Sequence, residues 1–184
     1  GDLSIDDPNV QLDFKGLVDV SKSFNQYDFQ ADVHFAELNK LQLVTRDSIS
    51  VFAGKVVVDM DGTTIDDIVG SFSFQQTFYQ NQDDDFYFDD FKIASSFEDQ
   101  KRIIDINSPD ICNGTISGNF LIKDISNLFR NGLGSMYANY IPREVTTNQY
   151  IDYDLSVYSK IVEVFVPQIQ VGENSRLRGS VSSD

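Results

Sequence analysis

Apolar and polar residues alternate along most of this chain with a period of two. In Tyr27-Asp28-Phe29-Gln30-Ala31-Asp32-Val33-His34-Phe35 the odd positions are apolar and the even ones polar, the pattern of a strand with one dry face. The same alternation runs through Phe72, Phe74 and Phe78, then Phe86 and Phe88, then Phe91, Ile93 and Phe97. It returns at Ile104 and Ile106, at Ile116, Phe120 and Ile122, and at Ile151, Tyr153, Leu155 and Val157. Turn signals separate the runs: Asn81-Gln82-Asp83-Asp84-Asp85, Asn107-Ser108-Pro109-Asp110 and Val171-Gly172-Glu173-Asn174. Several runs suit strands of about 8–11 residues, or about 26–36 Å at ~3.3 Å per residue, longer than the usual five or six. Long antiparallel strands with one apolar face each predict a single wide sheet whose dry side must be covered or folded over.

One segment has helical spacing. From Asp124, a candidate N-cap, Ile125, Leu128, Phe129, Leu133, Met136, Tyr137 and Tyr140 recur at intervals of three and four, and Pro142 ends the pattern. This predicts one short amphipathic helix over about 124–140. Gly132 and Gly134 each weaken it by about 1 kcal/mol relative to Ala, so packing must hold it. The segment 159–166 is apolar on both faces and fits neither period cleanly. With no linker or repeat boundary, residues 1–184 read as a single mainly β unit.

Composition sharpens this picture. The 184 residues carry 14 Lys plus Arg against 29 Asp plus Glu, a net charge of −15, with 15 Phe, 8 Tyr, one His, one Cys and no Trp. The acids are 24 Asp and 5 Glu. Asp favours turns because its short side chain bonds local backbone, whereas Phe and Tyr favour strands. Such acidity argues against nucleic acid as a partner, since phosphate contacts need a basic surface. One Cys and one His supply neither a disulfide nor a His/Cys zinc site. No apolar run approaches the roughly 20 residues that cross a bilayer, and the first residues do not form a signal peptide.

One string has a catalytic look. Lys55-Val56-Val57-Val58-Asp59-Met60-Asp61-Gly62-Thr63 resembles the first motif of haloacid-dehalogenase-like phosphatases, in which the first Asp attacks phosphorus, the second acts as acid and base, and Mg²⁺ neutralises the cluster. That chemistry needs a parallel sheet with a helix after each strand. Here Asp66-Asp67-Ile68-Val69-Gly70 leads directly into the Phe72/Phe74 strand, so the expected structure is a strand ending in an Asp-Gly turn with Gly62 at positive φ. His34 falls on the polar face of its strand and reads as a solvated histidine. The acidic run 83–90 offers oxygen ligands for Ca²⁺ but lacks EF-hand spacing and the central Gly, so it reads as a solvated turn. Asn113-Gly114-Thr115 matches an N-glycosylation sequon.

An ordered series of motifs spans nearly the whole chain. It begins with Asp7-Pro8-Asn9-Val10-Gln11-Leu12-Asp13-Phe14-Lys15-Gly16 and Phe35-Ala36-Glu37-Leu38-Asn39-Lys40-Leu41, and continues through Ile65-Asp66-Asp67-Ile68-Val69-Gly70-Ser71-Phe72-Ser73-Phe74 and Tyr87-Phe88-Asp89-Asp90-Phe91. Ile106-Asn107-Ser108-Pro109-Asp110-Ile111 and Gly114-Thr115-Ile116-Ser117-Gly118-Asn119-Phe120 are the most characteristic stretches. Asn131-Gly132-Leu133-Gly134-Ser135-Met136-Tyr137 and Lys160-Ile161-Val162-Glu163-Val164-Phe165-Val166-Pro167 complete the series. In this order the chain resembles the Bacteroidetes-type TamB branch of the AsmA-like family, as an internal fragment of a much longer protein.

The resemblance implies a long curved β-groove, taco-like in section, in a periplasmic protein anchored in the inner membrane by a segment outside this chain. It implies carriage of phospholipid between the inner and outer membranes. It also implies support of outer-membrane protein assembly and secretion beside an Omp85-type outer-membrane partner, reached through other regions. It implies no cofactor, no metal and no catalytic residue. The apolar stripes then supply the candidates for lining that groove against acyl chains: Phe29, Val33, Phe35, Phe72, Phe74, Phe88, Ile116, Phe120, Leu155 and Val157. Two other readings compete. A periplasmic or extracellular β-sandwich binding protein or glycan predicts a filled core with function in the turns, and an Mg²⁺-dependent phosphatase predicts chemistry at Asp59 and Asp61.

Overall fold

The computed structural model describes residues 1–21, 23–135, 139–159, 172 and 174–183. Ten strands follow one another in chain order across a single antiparallel, open sheet. They are β1 (Asp2–Asp7), β2 (Val10–Asp19), β3 (Asn25–Glu37), β4 (Ser50–Gly62), β5 (Val69–Asn81), β6 (Asp85–Glu98), β7 (Lys101–Asn107), β8 (Cys112–Asn119), β9 (Tyr150–Val157) and β10 (Ser175–Ser182). A 3-10 turn (Ile122–Asp124) and a helix α1 (Ile125–Gly134) lie between β8 and β9. The chain is mainly β in one wide sheet, as the alternation predicts, and curved, as the resemblance implies, and β3 to β6 run 13 or 14 residues each. No helix among the described residues is long and apolar enough to cross a membrane.

Direct cross-strand pairing assembles the apolar stripes into rows. Phe29, Val58, Phe72, Ile93, Ile106, Gly114, Leu155 and Leu177 stand opposite one another in turn from β3 to β10. Beside them, Leu3, Phe14, Ala31, Val56, Phe74 and Phe91 form a second row from β1 to β6. The other face is polar: Gln30, Val57, Ser73, Lys92 and Asn107 pair in the same way. Many of its acids take a neighbouring donor, such as Thr115 Oγ1 on Asp105 (2.8 Å) and the two-point contact of Arg176 on Asp154 (3.0 and 2.9 Å). One sheet with one dry face follows from strict period two.

The dry face is filled at one end. Ile104, Phe120, Leu128 and Ile151 form a buried cluster in which α1 lies on the inner rows of β7 to β10, with Phe129 edge-on to Tyr153 at 4.9 Å. Close strand approach is built into β8. Gly118 has φ +154°, and a Cβ there would stand 2.0 Å from the Tyr150 carbonyl oxygen. Arg102 is fully buried on β7 and ties the turn between β4 and β5 onto this end. Its Nη1 donates to Ser95 Oγ at 2.9 Å and to the Ile68 carbonyl at 3.4 Å, its Nη2 donates to the Asp66 carbonyl, and its guanidinium lies 4.5 Å from the centre of the Phe97 ring. From the same turn, Asp66 Oδ1 accepts from Ile122 N at 2.7 Å, beyond β8. In a flat sheet β5 and β8 are about 14 Å apart at ~4.8 Å per strand. The contact therefore reaches over the inner face and helps draw the sheet around it.

Several expectations change. The helix ends at Gly134 rather than near 140. Beyond it the chain turns back, with the Tyr140 ring against Gly134 and Tyr140 Oη donating to Asn131. Met136, Tyr137 and the Leu133 side chain lie outside the described residues, as do 160–166 of the ambiguous segment and Val171 and Glu173 of the Val171-Gly172-Glu173-Asn174 turn. Asp124 does not cap the helix. Its Oδ2 accepts from Thr146 N (3.1 Å) and Gln149 Nε2 (2.8 Å), fastening the segment before β9. Gly62 is not at positive φ and remains in β4. The turn comes just after it, where Asp67 Oδ1 accepts from Thr63 N (2.9 Å) and Thr64 N (2.6 Å). The acidic run 83–90 is mostly strand, since β6 begins at Asp85. Its short turn is closed by Asn81 Oδ1, which accepts from the backbone of Asp83 and Asp84.

Three outcomes follow from this architecture. Gly118→Ala is expected to cost on the order of 3 kcal/mol in urea melts, because the added methyl meets backbone that has nowhere to go. The neighbouring outer-face change Ser117→Ala serves as the near-neutral reference. Arg102→Met should release the 63–68 turn, raising hydrogen exchange there while the β8 and β9 amides keep their protection. The third outcome concerns pH. Hydrogen bonds hold the carboxyls of Asp13 (from His34), Asp67 (from the Thr64 backbone) and Asp154 (from Arg176) below the ordinary value of 3.8. At Asp124, burial pushes the carboxyl up, but the bonds from Gln149 and Thr146 outweigh it and the net direction is down. With folded values below unfolded ones, the stabilisation is complete above 3.8 and is lost as pH falls through the depressed values. Asp67→Asn should therefore lower stability at neutral pH and flatten the acid limb of the stability profile.

Candidate apolar groove

The inner face divides into a packed half and an open half. In the packed half, Phe88, Phe91, Ile111, Cys112 and Val157 are buried together, with Leu155, Ile106 and Leu177 against them. Burial raises the Cys112 thiol above its ordinary value. In the open half, from β1 to β5, the inner residues Phe14, Phe29, Val56 and Val58 are only half-buried and Leu3 and Val18 are exposed, while Phe72 and Phe74, also half-buried, pack against the buried cluster. Phe74 is the junction. Its ring meets Phe52 at 5.7 Å, Phe72 at 5.6 Å and Phe91 at 6.3 Å, so an aromatic path crosses from β4 to β6. Aromatic contacts of this kind contribute about 0.5–1.5 kcal/mol each beyond area burial.

Over one end of the open half lies a strap, residues 38–46. Leu38 N donates to the Ser50 carbonyl (2.7 Å) and Leu43 N to the Leu38 carbonyl (2.9 Å), and Gln42 takes φ 60°, so the chain doubles back across the sheet. Leu38, Leu41, Leu43 and Val44 of the strap face Val10, Leu12, Val33, Ala36, Phe52, Phe74, Thr77, Tyr79 and Phe88 across a cavity of about 420 Å³. Arg46 also lines it. At the base of the strap, Tyr79 Oη donates to Asp47 Oδ2 (3.2 Å) and lies 3.1 Å from Ser50 Oγ. Gln82 spans the same junction, accepting from Ser48 N and donating to Asp47. Tyr79 is buried, which pushes its phenol above the ordinary value.

The ten candidate lining residues separate by position. Phe29, Val33, Phe72 and Phe74 lie on the open inner face, and Val33, Phe74 and Phe88 border the cavity. Phe88 and Val157 are packed in the buried cluster with Leu155 against it. Phe120 is buried beneath α1, and Ile116 packs on the same cluster. Phe35 is on the wrong face. The pairing of β3 shifts at His34, so that Val33 faces Leu12, Phe35 faces Gln11 and Ala36 faces Val10. Ala36 takes the inner place and Phe35 turns outwards. Gln76 at φ 48° marks a similar inversion in β5, which turns Phe78 outwards against Tyr87 at 4.8 Å. Missed from sequence were Val10 and Leu12, whose alternation was legible, and the strap, whose Leu38, Leu41 and Val44 recur at three without forming a helix.

The remaining chemical candidates have definite places. Asp59 and Asp61 share the outer face of β4, where Asp59 pairs with Asp28 and Ser71. Asp61 keeps one buried carboxylate oxygen without a partner. No group of three or more His, Cys, Asp or Glu able to hold a metal ion occurs among the described residues. His34 Nε2 meets Asp13 Oδ2 at 3.0 Å, and Ser4 donates to the other oxygen of Asp13. The carboxylate stands between histidine and serine, so no imidazole is placed to take the serine proton. The Asn113 amide is engaged, its Oδ1 accepting from Ser108 N at 2.7 Å. Compared with protein-family models, curated proteins and solved structures, the chain gives no match.

Proposed function

We propose that this chain is a segment of a TamB-type lipid conduit. In this reading phospholipid acyl chains travel in the periplasm along the inner face of the sheet between inner and outer membranes. The longer protein supports outer-membrane protein assembly beside an Omp85-type partner through regions outside the chain. The observation that carries the reading is the apolar face from β1 to β5, whose inner side chains are half-buried or exposed, with the strap roofing a cavity over one end of it. Monomeric proteins rarely leave a contiguous apolar surface of that kind without a ligand or partner for it. A 16-carbon chain exposes on the order of 12 kcal/mol of apolar cost in water at about 0.8 kcal/mol per CH₂. A dry face removes most of that barrier by contact alone. Half-buried rows of Phe and Val, with no polar group spaced along them, bind each methylene weakly and alike, which suits passage better than one tight site. The packed half under α1 serves as the rigid back wall.

The test uses two adjacent positions of one strand. Val56 lies on the inner row opposite Phe74, and Val57 on the outer row opposite Ser73. Purified wild-type protein incubated with vesicles containing a phosphatidylethanolamine with a fluorescent acyl chain should extract the probe. Val57→Asp should retain extraction, whereas Val56→Asp should lose at least about tenfold, since a carboxylate in the path costs well over 1.4 kcal/mol. Circular dichroism melts of both variants separate loss of binding from loss of fold. No extraction by the wild type, or equal loss in both folded variants, contradicts the reading.

A further inference from the structure

The two edges of the sheet are opposite in charge. β1 is Asp2-Leu3-Ser4-Ile5-Asp6-Asp7, with three acids and no base, and β10 is Ser175-Arg176-Leu177-Arg178-Gly179-Ser180-Val181-Ser182, with two arginines and no acid. The sheet is open, so the edges do not meet within the molecule. Backbone direction is fixed at both. Gly16 N donates to the Gly1 carbonyl (2.9 Å), which turns the backbone of Leu3 and Ile5 toward β2 and that of Asp2, Ser4 and Asp6 toward the edge. Ser183 N donates to the Gln149 carbonyl (2.9 Å), which leaves the backbone of Arg176, Arg178 and Ser180 pointing away from β9. No further strand lies beside these six residues among the described residues.

Protected edges commonly carry a proline or a bulge. Neither β1 nor β10 contains a proline, and both pair with their neighbours without a register shift. What they carry is charge on the wet face, of one sign at each edge. Arg176 and Arg178 share a single carboxylate, Asp154, so a net positive charge remains there, on side chains 66% and 76% exposed. At the other edge Asp6 accepts only from the neutral Gln11 amide (3.1 Å). Like edges therefore repel each other and unlike edges attract.

We infer that β10 of one copy of this chain adds to β1 of a second copy, extending the sheet head to tail. The number of strands makes this pairing consistent. Ten is even and every neighbour is antiparallel, so β1 and β10 run in opposite directions. A second copy in the same orientation therefore meets β10 antiparallel, with its dry face on the same side. With Arg176 opposite Asp6, Leu177 falls opposite Ile5 and Arg178 opposite Ser4, between Asp2 and Asp6. The apolar rows then run on from one copy into the next. Pairing β1 with β1 would set acid against acid, and β10 with β10 would bring four arginines together. The inference concerns the edges and does not depend on the lipid reading.

Sedimentation velocity of the whole chain at low salt and rising concentration tests it. The wild type should grow beyond the dimer, because a head-to-tail contact that does not close keeps adding copies. Ser4→Pro and Ser180→Pro each remove one edge N–H while sparing the ladder to β2 or β9. Each should be monomeric alone, and their equimolar mixture should stop at the dimer, since one complementary pair of edges survives. Asp6→Lys and Arg176→Asp should each weaken association at least about fivefold, and mixing the two should recover it. These two exposed charge changes carry the test if circular dichroism melts show a proline variant to be unfolded. A monomeric wild type, self-association of either folded proline variant, or no recovery in the charge-swapped mixture overturns the inference. None of these outcomes bears on the acyl-chain extraction that tests the lipid reading.

Discussion

An antiparallel sheet with one apolar face cannot leave that face in water without cost, and every covering device in this molecule answers that constraint. At about 25 cal/mol per Å² of apolar surface, each large side chain left exposed forgoes about 1.5–3 kcal/mol. Over β7 to β10 the answer is a helix laid directly on the face, with Leu128 fully buried at its centre. Over β2 to β6 it is a strap that bridges the face and encloses a cavity rather than filling it. Beside the strap, on β2 to β4, Phe14, Phe29, Val56 and Val58 stay only half-buried.

What makes the face continuous is register, and register is controlled by a few irregular residues. The shift at His34, together with left-handed Gln76, inverts β3 and β5 so that the stripes meet across strand pairs. Phe88 and Phe91 have opposite parity in sequence, yet both lie on the dry face, because β6 turns over in step with β5 at Asp89 and Asp90. Glycines at inner positions of β8 let it approach β9 backbone to backbone. Arg102 then draws the β4–β5 turn across the end. A continuous inner row from β3 to β10 results.

The fold class was legible because period two is a strong, local signal, and the chain repeats it from Tyr27 to Val157. Individual orientations were less legible. Phe35 reads as inward by strict alternation, and nothing about His34 announces that one residue is skipped there. The helix was over-extended because Tyr140 keeps helical spacing while its ring folds back on Gly134. Asp124 looked like a cap but is spent on Thr146 and Gln149, partners 22 and 25 residues away that no local pattern discloses. The β1, β2 and β10 strands were passed over although Leu3/Ile5, Val10/Leu12/Phe14 and Leu177/Val181 alternate, because each is short or broken by glycine. Of the candidate site, the open part was visible in Phe29, Val33, Phe72 and Phe74. The strap was not, since covering a groove is a tertiary act, and its Leu38, Leu41 and Val44 recur at three without forming a helix.

Carriage of lipid by contact requires that acyl chains touch one face of the sheet and not the other. The most direct measurement is photocrosslinking to a phospholipid bearing a radiolabelled acyl chain, with a photoreactive phenylalanine analogue placed in turn at Val56, Val57, Val58 and Asp59 of β4. Adducts at 56 and 58 and none at 57 and 59 are the predicted result, a period of two read out by the ligand itself. Equal labelling at all four positions, or labelling confined to 57 and 59, would contradict the account.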